Sequence, residues 1–170
     1  MAYQVRVKIF PIDKKEILNY LDKKGIKYNE FFILYINHHK YRSVTSPSEV
    51  NFEIVNLSEL GLKMPSNFSE IKEAALKKGF EMCDSNLGFY LRLALKNQTK
   101  SKDKILSQGK IPDSAINICS EKMEDEWEFP RACYLRNIDG DLWIRAARFD
   151  DFYEFPLNSE FAFVKIFYKH

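Results

Sequence analysis

The chain has 170 residues, 45% hydrophobic and 15% aromatic, with 26 Lys plus Arg against 24 Asp plus Glu and a formal charge of +2. That apolar and aromatic content excludes a disordered chain, and the near-neutral balance argues against the broad basic footprint of a dedicated nucleic-acid binder. A chain of this length fits one domain that buries roughly 70% of its unfolded surface, enough for a core without metal or disulfide staples.

Residues 3–10, YQVRVKIF, alternate, with Tyr3, Val5, Val7 and Ile9 on one side and Gln4, Arg6 and Lys8 on the other. This predicts a half-buried strand ended by Pro11. The start lacks the unbroken apolar run of a secretory leader. No apolar run approaches the roughly 20 residues that cross a bilayer. A soluble, cytoplasmic protein that does not engage a membrane is expected. IDKKEILNYLDKKG then predicts a helix with Asp13 at its N-cap, Glu16 at capping-box spacing, and Ile17, Leu18 and Leu21 as the buried stripe up to Gly25. NEFFILYINHH fits a second, largely buried helix, with a strand as competitor because Phe, Ile and Tyr suit both when buried.

The polar stretch YRSVTSPSE marks a boundary. It divides an N-terminal strand and helical segment, 1–42, expected to pack on the rest, from an α+β core domain, 43–170. VNFEIVNL predicts a strand with Val50, Phe52 and Ile54 inward, and PSNFSEIKEAALKKG a helix capped by Asn67 with Glu70 three residues on. From there the pattern reads as strands: FYLRLAL (89–95), AINIC, ACYLRNI, DLWIRAA and FAFVKIFY, with Asp139-Gly140 as a hairpin turn. NQTKSKDK lies between them as a solvated, mainly basic linker. No helical pattern separates these strands, so the expected fold is α+β, a mainly antiparallel sheet with about three helices concentrated in the N-terminal half.

An aromatic precedes an arginine by two residues three times, as Tyr90 and Arg92, Tyr134 and Arg136, and Trp143 and Arg145. On a strand, residues two apart share a face. Three such pairs on one sheet face would stack planar groups and hold anions, making these six residues the candidate surface for a protein partner or a small anionic ligand. Packing across a solvent-facing sheet explains the same pairs without any ligand.

Other clusters point to less. HHK (38–40) suits a polar helix end. Asp139 and Asp141 lack the further oxygen ligands of a calcium loop. Cys83, Cys119 and Cys133 form no CxxC pair; they read as free thiols in a reducing compartment rather than zinc ligands with His38 or His39. No metal and no cofactor is expected. The acidic stretches SEKMEDEWE (120–128) and FDDFYE (149–154) carry Trp127, Phe149, Phe152, Tyr153 and Phe155 among their carboxylates. Loops rarely hold so many large apolar groups, and exposed aromatics rimmed by charge mark protein-binding sites. No dinucleotide, P-loop, zincin or nucleophile-elbow motif is present.

SELGL (58–62), SEIKEAALKKGFEMCDSNLGFYLRL (69–93), DGDLWI (139–144) and FAFVK (161–165) together resemble a family of small uncharacterised bacterial proteins. Its members run ELGF, a helix, a stretch such as GLELCPAEVGPQLRL, an aspartate-glycine turn with Trp-Leu, and an FVFV-like strand. LDKKGIKYNEFFILYI is similar to that family's N-terminal helical part. The family's Cys-Pro-x-Glu stands here as Cys83-Asp84-Ser85-Asn86, and Phe89 stands where it has proline, while Leu91-Arg92-Leu93 matches. The resemblance implies a shared fold and a bacterial origin and leaves the function open. The repeated aromatic–arginine pairs and the missing catalytic motifs lead to the reading of a non-enzymatic bacterial accessory protein, a binding or interaction module using the sheet face with Arg92, Arg136 and Arg145. One alternative is an enzyme acting on a nucleotide or phosphorylated substrate, with an acid from Asp139, Asp141 or Glu124. Another is a single-stranded nucleic-acid binder, which the charge balance disfavours.

Overall fold

The computed structural model of the chain describes residues 2–104 and 112–165. In chain order these form β1 (Tyr3–Ile9), a 3-10 turn (Lys14–Glu16) running into α1 (Ile17–Lys23), β2 (Lys27–Tyr28), α2 (Glu30–Asn37) and β3 (Ser48–Asn56). Next come β4 (Ser66–Asn67), α3 (Phe68–Lys77), β5 (Phe80–Glu81) and α4 (Leu87–Ala94). The chain continues as β6 (Ile116–Ile118), β7 (Ala132–Ile138), β8 (Asp141–Ala147), β9 (Glu154–Phe155) and β10 (Glu160–Lys165). The expected last strand runs to Tyr168, and its end lies outside the described residues.

Eight strands form one sheet in the order β1-β3-β10-β6-β7-β8-β2, with β5 pairing β10 beside this path. The sheet is mixed: β6 and β10 run parallel, as do β2 and β8. This overturns the expected antiparallel meander. In a meander β10 would follow β8 at the edge, but that edge is already filled. Lys27 and Tyr28 pair with Trp143 and Ile144. Asn29 then completes the ladder with its side chain, its Nδ2 donating to Ala146 O and its Oδ1 accepting from Ala146 N, both at 3.0 Å. The same Oδ1 accepts from Phe32 N and caps α2. β10 instead enters the middle of the sheet, where Phe161, Ala162 and Phe163 are buried on both faces.

The helices correct a second expectation, for they are not confined to the N-terminal part and α4 lies where a strand was predicted. Residues 89–95 alternate, yet Leu87, Tyr90, Leu91 and Ala94 also fall at helical spacing. Residues 87–92 are all buried, so neither period leaves a polar face to identify it. The capping box of α3 forms as predicted, with Asn67 and Glu70 bonded reciprocally. At the first helix Asp13 caps through Lys15 N, and the chain makes a 3-10 turn before α1 begins.

The sheet has a hydrophobic core on each face. One core joins Val7, Ile9, Phe52, Ile54, Leu135 and Ile144 to α1, α2 and α4. The other joins Val55, Phe161, Phe163 and Cys119 to Phe68, Ile71 and Ala75 of α3. Among the described residues no helix is long and apolar enough to cross a membrane.

Candidate interaction surface

Pairing of β7 with β8 sets Tyr134 opposite Arg145 and Arg136 opposite Trp143. Those four predicted residues therefore share a sheet face, and Lys27 joins them across β8 from Trp143. Tyr90 and Arg92 do not join them; they lie on α4, against the opposite face. The hydroxyl of Tyr90 donates to Phe10 O at 2.6 Å, and burial pushes its ionisation up to about 12.

The arginines point into the protein. Arg92 donates from Nη1 to Gln98 Oε1, Arg136 O and Trp143 O, and from Nη2 to Leu95 O. Gln98 in turn donates to Ser114 O and Leu135 O. Arg136 donates from Nε to Ser101 Oγ and from Nη2 to Asp103 O. Together they fasten the 98–103 segment beside β7, where the short β6 leaves the ladder open. Arg145 donates from Nε to the Tyr134 hydroxyl at 2.9 Å, and its guanidinium lies 5.1 Å from the Trp143 ring.

Large aromatic side chains reach solvent elsewhere. Trp127 is 64% exposed and Phe152 is 86% exposed. They sit on the loops 121–128 and 149–153, between β6 and β7 and between β8 and β9. One ammonium joins these loops: Lys122 Nζ lies 3.7 Å from Asp125 and 3.6 Å from Asp151. The first loop is tied at three further points. Glu121 pairs with Lys72 of α3, Glu124 with His38 at the end of α2, and Phe129 packs 5.0 Å from the His38 ring. At its root Arg131 donates to Ser120 O and lies over the Phe68 ring at 4.1 Å. Phe149 and Phe155, from the second acidic stretch, are taken into the aromatic cluster with Phe68 and Phe161.

The apolar members of the two acidic stretches thus divide. Phe149 and Phe155 close the core over the sheet, while Trp127 and Phe152 are held outward. Composition marked the stretches as unusual. It could not divide their rings between core and surface, because that depends on which loop residues find anchors at the end of α2, in α3 and just past β6. Lys122, the residue that couples the loops, carries no sequence signal of its own.

Among the described residues no three His, Cys, Asp or Glu side chains converge as a metal site. The apolar space between Phe68, Tyr134, Phe149 and Phe161 is too narrow for a water molecule. No family model, curated protein or solved structure matches the chain.

Proposed function

We propose that this chain is a non-enzymatic interaction module that docks a protein partner on the surface carrying Trp127 and Phe152. One observation supports this above the others: two large rings stand exposed on loops that are themselves tethered. Rigid exposed aromatics carry binding energy efficiently, because little side-chain freedom is lost on docking. The ion pairs of Glu121, Lys122 and Glu124 hold the loops in place without covering either ring. We assign the module to a bacterial cytoplasm, on the strength of the sequence resemblance and of three buried, unpaired thiols.

The test is capture from bacterial extract by the wild type, by the Trp127→Ala/Phe152→Ala variant and by Arg145→Ala, each confirmed folded by circular dichroism. Proteins held by the wild type and Arg145→Ala but lost by the double variant support the reading. Loss only with Arg145→Ala would move the contact to the sheet face. Equal capture by all three would refute it.

A further inference from the structure

Resting on that reading, we infer that the partner presents a basic segment, rich in Arg or Lys, to the Trp127–Phe152 surface. Residues 121–128 hold five carboxylates against Lys122, and residues 148–154 hold three against Arg148. The two loops therefore carry −6 while the whole chain carries +2, leaving +8 on the remainder. A third of the chain's 24 acidic residues stand beside its two most exposed aromatic rings outside the termini.

The carboxylates are not all engaged. Glu121, Glu124, Asp125 and Asp151 answer cations of this chain. The Asp150 carboxylate accepts from Phe152 N, which fixes the backbone beneath that ring, and among the described residues it meets no cation. Glu126, Glu128 and Glu154 are exposed and form no ion pair among the described residues. The rings show the same division. Cations of this chain lie over Tyr20, Trp143, Phe68, Phe149 and Phe31. Among the described residues none lies over Trp127 or Phe152.

An Arg or Lys side chain matches both halves of this surface. Its aliphatic stem covers the ring, its charge meets the ring face, and its donors reach the neighbouring carboxylates. Phosphates of a nucleic acid would be repelled by the same −6. Complementary charge also hastens encounter and suppresses acidic competitors.

The experiment is fluorescence anisotropy with two labelled synthetic peptides, one alternating Arg with Ser and one alternating Glu with Ser, at about 50 mM salt. The wild type should bind the arginine peptide below about 1 mM and the glutamate peptide at least tenfold more weakly. Trp127→Ala/Phe152→Ala, which leaves every carboxylate in place, should weaken binding by about tenfold or more. Undiminished binding by that variant would reduce the contact to diffuse charge and overturn the inference. So would absence of preference for the arginine peptide, or ring-dependent self-association of the wild type seen by sedimentation. The inference alone falls if extract capture depends on the rings but the arginine peptide does not bind. Ring-independent capture removes the underlying reading as well.

Discussion

Arg92 Nη1 donates to Gln98 Oε1 at 2.6 Å, joining two buried side chains six residues apart across the end of α4. Around them the backbone oxygens of Leu95, Ser114, Leu135, Arg136 and Trp143 all receive donors from this pair. Burial lowers the ionisation of Arg92 to about 10, so it remains cationic at neutral pH. Removing it strands several buried acceptors at once. Arg92→Leu should therefore cost about 3 kcal/mol or more, and Gln98→Leu about 2 kcal/mol, read as lowered urea midpoints. An unchanged midpoint for Arg92→Leu would show that water replaces the network at no loss.

Much of this fold is legible along the chain, and the exceptions share a cause. β1, α3 and the Asp139-Gly140 hairpin are set by local pattern, by the Asn67 cap and by a turn in which Asp139 and Gly140 both have positive φ. α4 was hidden because it is buried along most of its length and Asn86 makes no side-chain cap bond. The place of β10 was hidden because its partners, β3 and β6, lie far back along the chain and no local pattern names them. The arginine pairs were visible as pairs. Their burial was not, because it rests on the 98–103 segment and on carbonyls of β7 and β8 that meet side chains from distant parts of the chain. At the loops the exposed rings were on view, whereas their anchors, His38 and Lys72, lie in distant elements.

The contact between His38 and Glu124 fixes a ring tautomer. Lys40 N donates to His38 Nδ1 at 3.0 Å, so that nitrogen carries no proton and Nε2–H faces Glu124 Oε1 at 2.5 Å. The hydrogen bond from His38 holds the Glu124 carboxyl below its ordinary value of 4.5. A lowered carboxylate stabilises the fold above that ordinary value, and the contribution is lost as pH falls from there through the lowered folded value. Wild type should accordingly have a higher urea midpoint than Glu124→Gln at neutral pH, the gap closing in acid. A gap constant down to about pH 3 would remove Glu124 as its source. Nitrogen NMR of the ring should show protonated Nε2 at neutral pH.

Alkaline behaviour follows from buried acids. Burial pushes up the thiols of Cys83, Cys119 and Cys133 and the hydroxyls of Tyr35, Tyr41 and Tyr90. Each group then ionises in the unfolded chain before the folded one, so the unfolded state holds fewer protons above the ordinary thiol value of 9.0. Stability should be level just below that pH and fall above it. The native thiols should also react with an aromatic disulfide reagent about 100-fold more slowly than in concentrated guanidinium. A rapid native reaction of even one thiol would contradict its burial.

Gly88 of α4 packs directly against the sheet. A methyl group placed there meets Ile118 Cγ1 at 3.2 Å, Cys133 Cβ at 3.6 Å and Ile144 Cδ1 at 3.7 Å. Two effects oppose one another in Gly88→Ala. Helix propensity favours alanine by about 1 kcal/mol, while crowding a packed core costs roughly 1–3 kcal/mol. Ile118 is only 1% exposed and cannot swing away, so crowding should win and the variant should lose about 1 kcal/mol by urea denaturation. Gly88→Val, branched at the point of contact, should lose about 3 kcal/mol. A double-mutant cycle locates the strain. Ile118→Ala is costly alone, but it removes the blocking atom, so in its background Gly88→Ala should turn neutral or stabilising. If the alanine penalty persists there, the strain lies in the helix backbone and the close packing on Ile118 is not its origin.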